Sequence, residues 1–433
     1  MEFFKKLIRD GDIVLFYVYF WQIPFAWRYI LIPNRGAVPP TFNEYMDVSL
    51  YIGEVLLFTA FLINLYNNKI LEKSIKYIKN KGIQYAKLFH VEHIFVTSIF
   101  LFIVINLFFS VDQLITLTTL VHIGVILMTI YLSWSFFVSR GTKFLIELGK
   151  ILILILLFQF GVALYQAFTS HSLGVYFLNE SKIGLNQINI AKSQIFNTTI
   201  LRSYGTFPHP NILAAFAIFS LFSFHYLSQL FHVERKVLIF VSTLSFFIIT
   251  LTQSKIGILM FFAVFFLCTI RKKMFHVEQV KFFLLLIPSL IAVTLIFQAD
   301  IQKSLSARLD QYKVQSSSLD ISVFGTGLGT YRLSYDQWSN HVNWWLYEPV
   351  HNVPYILFVE TGFVGILLIG ILIIIVILRV PRGTLVKMRL PIVVLFYLLM
   401  TDHFVWDIYQ GQQIIALAVS LSIIRFNNID KLV

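Results

Sequence analysis

Apolar runs long enough to cross a bilayer recur along the whole chain, separated by short polar stretches. A bilayer core of about 30 Å needs roughly 20 apolar residues per helical span. The pattern predicts spans over residues 12–32, 46–66, 93–110, 115–137, 149–168 and 210–227. Six more follow over 237–252, 256–270, 282–299, 352–378, 390–408 and 411–424, the shorter ones extending into their flanks or tilting. The first run lacks the short apolar core and small-residue cleavage site of a signal peptide and is expected to be retained. The expected fold is an all-α polytopic membrane protein with about twelve transmembrane helices, a single integral membrane domain over residues 1–433. Two segments break the rhythm of short connections, 169–209 and 300–351. Long loops without strong periodicity are uncommon and often functional.

Composition agrees with this pattern. Of 433 residues, 58% are hydrophobic and only 13% charged, whereas a soluble chain carries about a quarter. A soluble globular enzyme and a disordered chain are excluded. The lone cysteine, Cys268, excludes an intramolecular disulfide or a cysteine metal cluster. The formal net charge of +12 reads as orientation rather than nucleic-acid binding, because basic residues gather in cytoplasmic loops. With the amino terminus inside, alternate loops hold 24 of the 34 Lys and Arg residues, including the cluster from Lys69 to Lys87. Both termini are then cytoplasmic, and the two long loops face outward. Orientation does not explain the ten remaining basic residues, so the chemistry is sought outside.

Phe-His-Val-Glu occurs three times, at Phe89–Glu92, Phe231–Glu234 and Phe275–Glu278, always in a predicted inside loop. His90, His232 and His276 have no metal-ligand spacing. A DNA palindrome dispersed into tolerant loops is a sufficient source of such a peptide.

Three outward stretches carry candidate chemistry. The first is Arg202-Ser-Tyr-Gly-Thr-Phe-Pro-His-Pro-Asn211, a Gly/Pro-punctuated turn entering a helix. There the Arg202 guanidinium can grip phosphate bidentately, with His209 as a second donor and Asn211 near the helix start. The bland alternative is a capped helix with an Arg at the headgroups. The second is the tight turn Thr252-Gln-Ser-Lys255, where Lys255 is either a snorkelling anchor or a cation facing an anionic headgroup. The third is the 300–351 loop, with Arg308, the string Phe324-Gly-Thr-Gly-Leu-Gly-Thr-Tyr331, Trp338, Trp344, Trp345 and the closing His351-Asn352. The Gly string lacks the Walker lysine and the dinucleotide pattern, so it is either a turn or a set of amides for a phosphate or sugar. The Tyr and Trp cluster suits sugar stacking or a membrane-interface belt.

His351 sits where a loop meets the membrane, placed for acid–base work. Glu360 and the pair Asp402-His403 are ionisable groups in or near spans, costly unless they face protein or water. No zinc-protease helix motif and no serine nucleophile elbow is present. Outward cations, one histidine and aromatic surface suit displacement of a phosphate leaving group.

In order, spacing and sidedness, these three stretches, continued by Glu360-Thr-Gly, resemble the O-antigen ligase and polymerase superfamily of bacterial membrane glycosyltransferases; Asp402-His403 with Gln410-Gly-Gln is similar to sequences in some members. The resemblance centres on residues 200–378. It implies a GT-C-type helical fold in the bacterial cytoplasmic membrane, acting at the outer face on a polyprenyl-diphosphate-linked glycan, with no metal and no other cofactor. It implies that Arg202 and Arg308 bind the diphosphate and that His351 is the essential histidine. Asn352, His209, Asn211, Glu360, Asp402 and His403 are supporting or acceptor-site candidates. Lys255 departs from the family's usual Arg, keeping the charge and losing the planar fork. A glycan acceptor would make the protein a polymerase, a lipid A core sugar a ligase, and a protein an O-oligosaccharyltransferase. The rival expectation is a lipid-linked oligosaccharide flippase, which would place cations midway along helices and show two related halves.

The charge asymmetry makes a direct prediction. Reporter fusions after residues 40, 190 and 330 should read outside, and those after 80, 275 and 385 inside. An inside signal at 190 or 330 would remove both long loops from the outer face.

Overall fold

The computed structural model describes residues 2–33, 47–68, 91–187, 190–195, 198–228, 233–269, 298–318, 322–336, 349–379 and 389–426, with isolated residues between 287 and 297. His90, His232, His276, Trp338, Trp344, Trp345, the Lys69–Lys87 cluster and most of the predicted 282–299 span lie outside these residues.

Fourteen α-helices are found among the described residues. They are α1 (Glu2–Gln22), α2 (Ile52–Asn67), α3 (Val91–Phe108), α4 (Gln113–Arg140), α5 (Thr142–Thr169), α6 (Pro210–Leu227) and α7 (Arg235–Thr252). Then come α8 (Lys255–Thr269), α9 (Gln298–Ser318), α10 (Tyr331–Asp336), α11 (Val353–Arg379), α12 (Arg389–Thr401), α13 (Phe404–Asp407) and α14 (Tyr409–Phe426). Five helices, α4, α5, α6, α7 and the Val353–Ile375 part of α11, are long and apolar enough to cross a membrane, and five shorter apolar helices accompany them. By length and composition this is a multi-pass membrane protein, with five such spans among the described residues where the sequence predicts twelve.

Four predicted elements are corrected. The first predicted span, 12–32, is helical only to Gln22, because Pro24 cannot continue the helix hydrogen bonding. Its last part is strand β1 (Arg28–Ile32), antiparallel to β2 (Val48–Tyr51), and β2 in turn takes the head of the predicted 46–66 span, which is helical only from Ile52. With the hairpin β3 (Lys192–Ile195) and β4 (Thr198–Leu201), this makes the fold mostly rather than wholly helical. The 300–351 loop opens with α9, whose length escapes a search for apolar runs because it is polar. The 390–408 span ends at Thr401, where Asp402 turns its carboxylate onto the His403 N–H at 2.9 Å.

Helix α6 is the centre of the bundle: nearly every one of its residues is buried. A helix apolar all round belongs in such a core. The outer helices instead expose large apolar side chains such as Phe100, Leu154, Phe168 and Leu367. A surface of that kind suits lipid and would aggregate in water.

In lipid, polar groups must be satisfied by the protein itself. The turn before α6 shows this well. Gln166 on α5 accepts from the Tyr204 and Gly205 amides at 2.8 and 2.9 Å and donates to the Gly205 carbonyl at 2.8 Å. Gln159, one helical stretch away, accepts from the Thr206 amide at 2.9 Å, and Ser203 Oγ donates to the Ala163 carbonyl at 2.8 Å. Gly205 has φ +61°, and a Cβ there would collide with the Gln159 amide oxygen. The turn carrying Arg202 is thereby clamped to α5.

Gln166→Leu would orphan two backbone amides, each worth about 1–3 kcal/mol when buried without a partner. It should lower the thermal unfolding midpoint clearly, and Gly205→Ala should do the same. Unchanged melting in both variants would show that the turn is not held by these contacts.

Candidate functional site

The turn between α7 and α8 and the turn before α6 meet directly. Arg202 Nε donates to the Thr252 carbonyl at 2.8 Å, and Nη2 donates to Asn211 Oδ1 at 2.7 Å. Asn211 in turn donates to Asp402 Oδ2 at 2.8 Å. His351 Nε2 and His403 Nε2 face the other oxygen, Asp402 Oδ1, at 3.8 and 3.7 Å. The two rings meet edge to face, with centroids 5.3 Å apart. His403 Nδ1 is fixed by Asp407, 2.8 Å away. One polar chain therefore runs from Arg202 through Asn211 and Asp402 to the two histidines and Asp407.

Arg202, Asn211, Lys255, Arg308, Tyr397 and Asp402 line a cavity of about 220 Å³. Lys255 also lies over the Phe297 ring, 5.2 Å from its centroid, a cation–π contact. Arg308 comes from α9, the polar helix of the long loop. An open vestibule of about 580 Å³ adjoins this cavity, sharing Arg202 and Lys255 and adding Lys192 of β3 and Lys303 of α9.

Burial holds the His351 imidazole down to about 4; Asp402 opposes this, while Arg308 and His403 add to it. Its Nδ1 is buried with no hydrogen-bond partner among the described residues. Near neutral pH the ring is therefore uncharged and carries a lone pair. His209 is lowered further, to about 3, by burial and by Arg202. Its Nδ1 accepts from the Asn211 amide at 3.2 Å, so His209 caps α6, with its proton on Nε2. For Asp402, burial pushes upward, but the facing His351, His403 and His209 rings and the Asn211 amide outweigh it and hold the carboxyl below its usual range.

Other sequence candidates take supporting positions. Asn352 Oδ1 accepts from the Tyr355 amide at 3.0 Å, capping the start of α11. Glu360 accepts from the Tyr331 amide at 3.1 Å and from Trp406 Nε1 at 2.8 Å, tying the Gly-rich loop to the Asp402–Asp407 segment. The Gly-rich string spends its amides inside the protein. Thr326 donates to the Val359 carbonyl, Gly327 to the Glu360 carbonyl and Leu328 to Asn106, at 3.1, 3.1 and 3.0 Å. It is a packed joint against α3 and α11, and those amides are not offered to a phosphate.

Sequence reasoning missed Asp407, Trp406, Lys192, Lys303 and the Gln159/Gln166 clamp. Asp407 follows Asp402-His403 within one helical turn and was legible as an i, i+4 partner of His403. The others depend on contacts between distant segments.

His351, Asp402 and His403 each offer a ligand atom, all within 4.8 Å of one another, and the Asp407–His403 contact is the kind that orients metal-bound imidazoles. The donor set fits a transition metal, but Arg202, Lys255 and Arg308 surround it with positive charge. That field opposes a divalent cation and attracts an anion.

Histidine-selective NMR of the full chain tests the electrostatics. The His351 ring should stay neutral down to about pH 5, and Arg308→Gln should raise its pKa by removing a positive neighbour. An ordinary titration near 6.5, unmoved by Arg308→Gln, would contradict this environment.

Comparison of the chain with protein-family models, with curated proteins and with solved structures finds no match in any of the three.

Proposed function

We propose that the protein is a membrane glycosyltransferase that moves a polyprenyl-diphosphate-linked glycan onto an acceptor hydroxyl at the outer face of a bacterial cytoplasmic membrane. In this reading the chain crosses the membrane about twelve times, in a GT-C-type arrangement with both termini cytoplasmic. The observation that carries the proposal is convergence. Arg202, Lys255, Arg308 and Asp402 come from four separate parts of the chain and line one cavity, with the neutral His351 against Asp402. The hydrogen bonds from Arg202 to Thr252 and from Asn211 to Asp402 join helix ends that the charge asymmetry assigns to the outer side. A flippase would be expected to hold its cations midway along helices; here they stand at helix ends and in α9.

The chemistry follows from these groups. Arg202, Arg308 and Lys255 neutralise the diphosphate and stabilise the charge that grows on it as it leaves. The acceptor oxygen bonds to the anomeric carbon while the bond from that carbon to the phosphate oxygen breaks, and the electron pair departs with the polyprenyl diphosphate. The acceptor proton passes to His351. Burial, aided by Arg308, makes His351 a weak base; a bound diphosphate adds negative charge and strengthens it. The acceptor is a second glycan for a polymerase and a lipid-core sugar for a ligase.

Transfer and binding by purified protein with a polyprenyl-diphosphate glycan test the proposal. Arg202→Lys and Arg308→Lys each lose forked hydrogen bonding worth about 1.5–3 kcal/mol, so lipid-diphosphate affinity should fall roughly tenfold to a hundredfold. His351→Ala should cut turnover and leave binding near normal. Lys255→Arg should be tolerated, and chelator should have no effect. Full turnover in His351→Ala would remove its catalytic assignment, and loss of activity with chelator would point back to the His351–Asp402–His403 set as a metal centre.

A further inference from the structure

A second recess lies on the other side of the Asp402–Asp407 segment. Ser49 of β2, Thr118 and His122 of α4, Trp406, Asp407 and Gln412 form much of its wall. We propose that this recess is the acceptor site and takes the hydroxyl-bearing edge of a neutral sugar; the inference rests on the glycosyl-transfer reading above.

Three observations point there. The first is unfilled hydrogen bonding. Ser49 and Gln412 are buried, 7% and 4% exposed, and Ser49 Oγ and Gln412 Oε1 have no hydrogen-bond partner among the described residues. The Gln412 amide is held one way round, because its Nε2 donates to the Trp406 carbonyl at 2.6 Å. Buried polar atoms of this kind call for a ligand or ordered water.

The second observation is charge. Asp47, Glu360 and Asp407 line the recess, with Arg332 and His122 as the basic groups, and Arg28 stands 3.6 Å from Asp47. This lining mixes hydrogen-bond acceptors and donors with its charges largely balanced, which suits a hydroxyl that both donates and accepts, whereas the Arg202–Arg308 cavity gathers three cations. The inner space is about 60 Å³, several times the roughly 10–15 Å³ that one water needs on the same measure. It has room for a hydroxyl or hydroxymethyl group of a sugar.

The third is position. A transfer between two large substrates needs two sites that meet at the reacting atoms. One short segment serves both cavities here: Asp402 lines the cationic cavity, and Trp406 and Asp407 line the recess. His403 joins them through its contacts with Asp402 and Asp407.

Kinetics with the full-length protein in nanodiscs test the assignment, using lipid-linked glycan as donor and a lipid extract of the producing cells as the titrated acceptor source. Gln412→Leu, Ser49→Val and Thr118→Val each remove one polar group while leaving the cationic cavity untouched. Gln412→Leu combined with Ser49→Val should raise the acceptor KM roughly tenfold or more, with donor KM and undecaprenyl diphosphate binding unchanged. Retained undecaprenyl diphosphate binding also reports that a variant is folded, and Thr118→Val serves if the double variant is not. An unchanged acceptor KM in folded variants, or a donor KM that rises in step, overturns the acceptor assignment and leaves the glycosyltransferase reading standing. No transfer by the unaltered protein overturns that reading, and the inference with it.

Discussion

A carboxylate enclosed at the end of an apolar bundle has to collect hydrogen-bond donors from the protein, and Asp402 collects them from distant parts of the chain. Asn211, at the start of the central helix α6, gives it an amide; the His403 backbone gives it an N–H; two imidazoles face its remaining side. Asn211 also receives Arg202, and Arg202 reaches on to the last carbonyl of α7. The positions of the guanidinium, of His351 and of the α7–α8 turn are thus set against one buried charge. Behind them, Gln159 and Gln166 fasten the Arg202 turn to α5.

This arrangement separates two electrostatic environments by a few residues. On one side Arg202, Lys255 and Arg308 make a cavity suited to a multiply charged anion. On the other, Asp47, Glu360 and Asp407 stand beside Arg332 and His122, a mixed lining suited to neutral hydroxyls. His351 is kept uncharged by burial and by Arg308, so it does not compete with the arginines for an anion. Its basicity grows when negative charge arrives, which couples proton acceptance to occupancy of the cationic cavity.

Much of this site was legible in the sequence because charges at helix ends are expensive and therefore few. Arg202, Lys255, Arg308, His351 and Asp402 stood out against apolar surroundings, and the structure brings them to one place. The apolar pattern likewise marked the helices from α3 to α8 to within a few residues, excepting the longer start of α5, whereas the predicted 46–66 span opens on strand β2 before α2 begins. It failed where apolarity and helix part company. Residues 29–32 are apolar yet belong to a strand after Pro24, and α9 is a helix with no apolar run. The Gly-rich string illustrates a different limit: its spacing cannot tell amides offered to a ligand from amides spent on α11 and Asn106. Trp406 was hidden because its partner, Glu360, lies on the distant helix α11.

The proposed function turns on recognition of a lipid diphosphate by the cavity around Arg202 and Arg308. Native mass spectrometry of the purified protein with undecaprenyl diphosphate and undecaprenol in the same detergent measures this directly. The diphosphate should be retained and then lost on competition with inorganic diphosphate, with undecaprenol bound weakly. Equal retention of both lipids, insensitive to inorganic diphosphate, would contradict it.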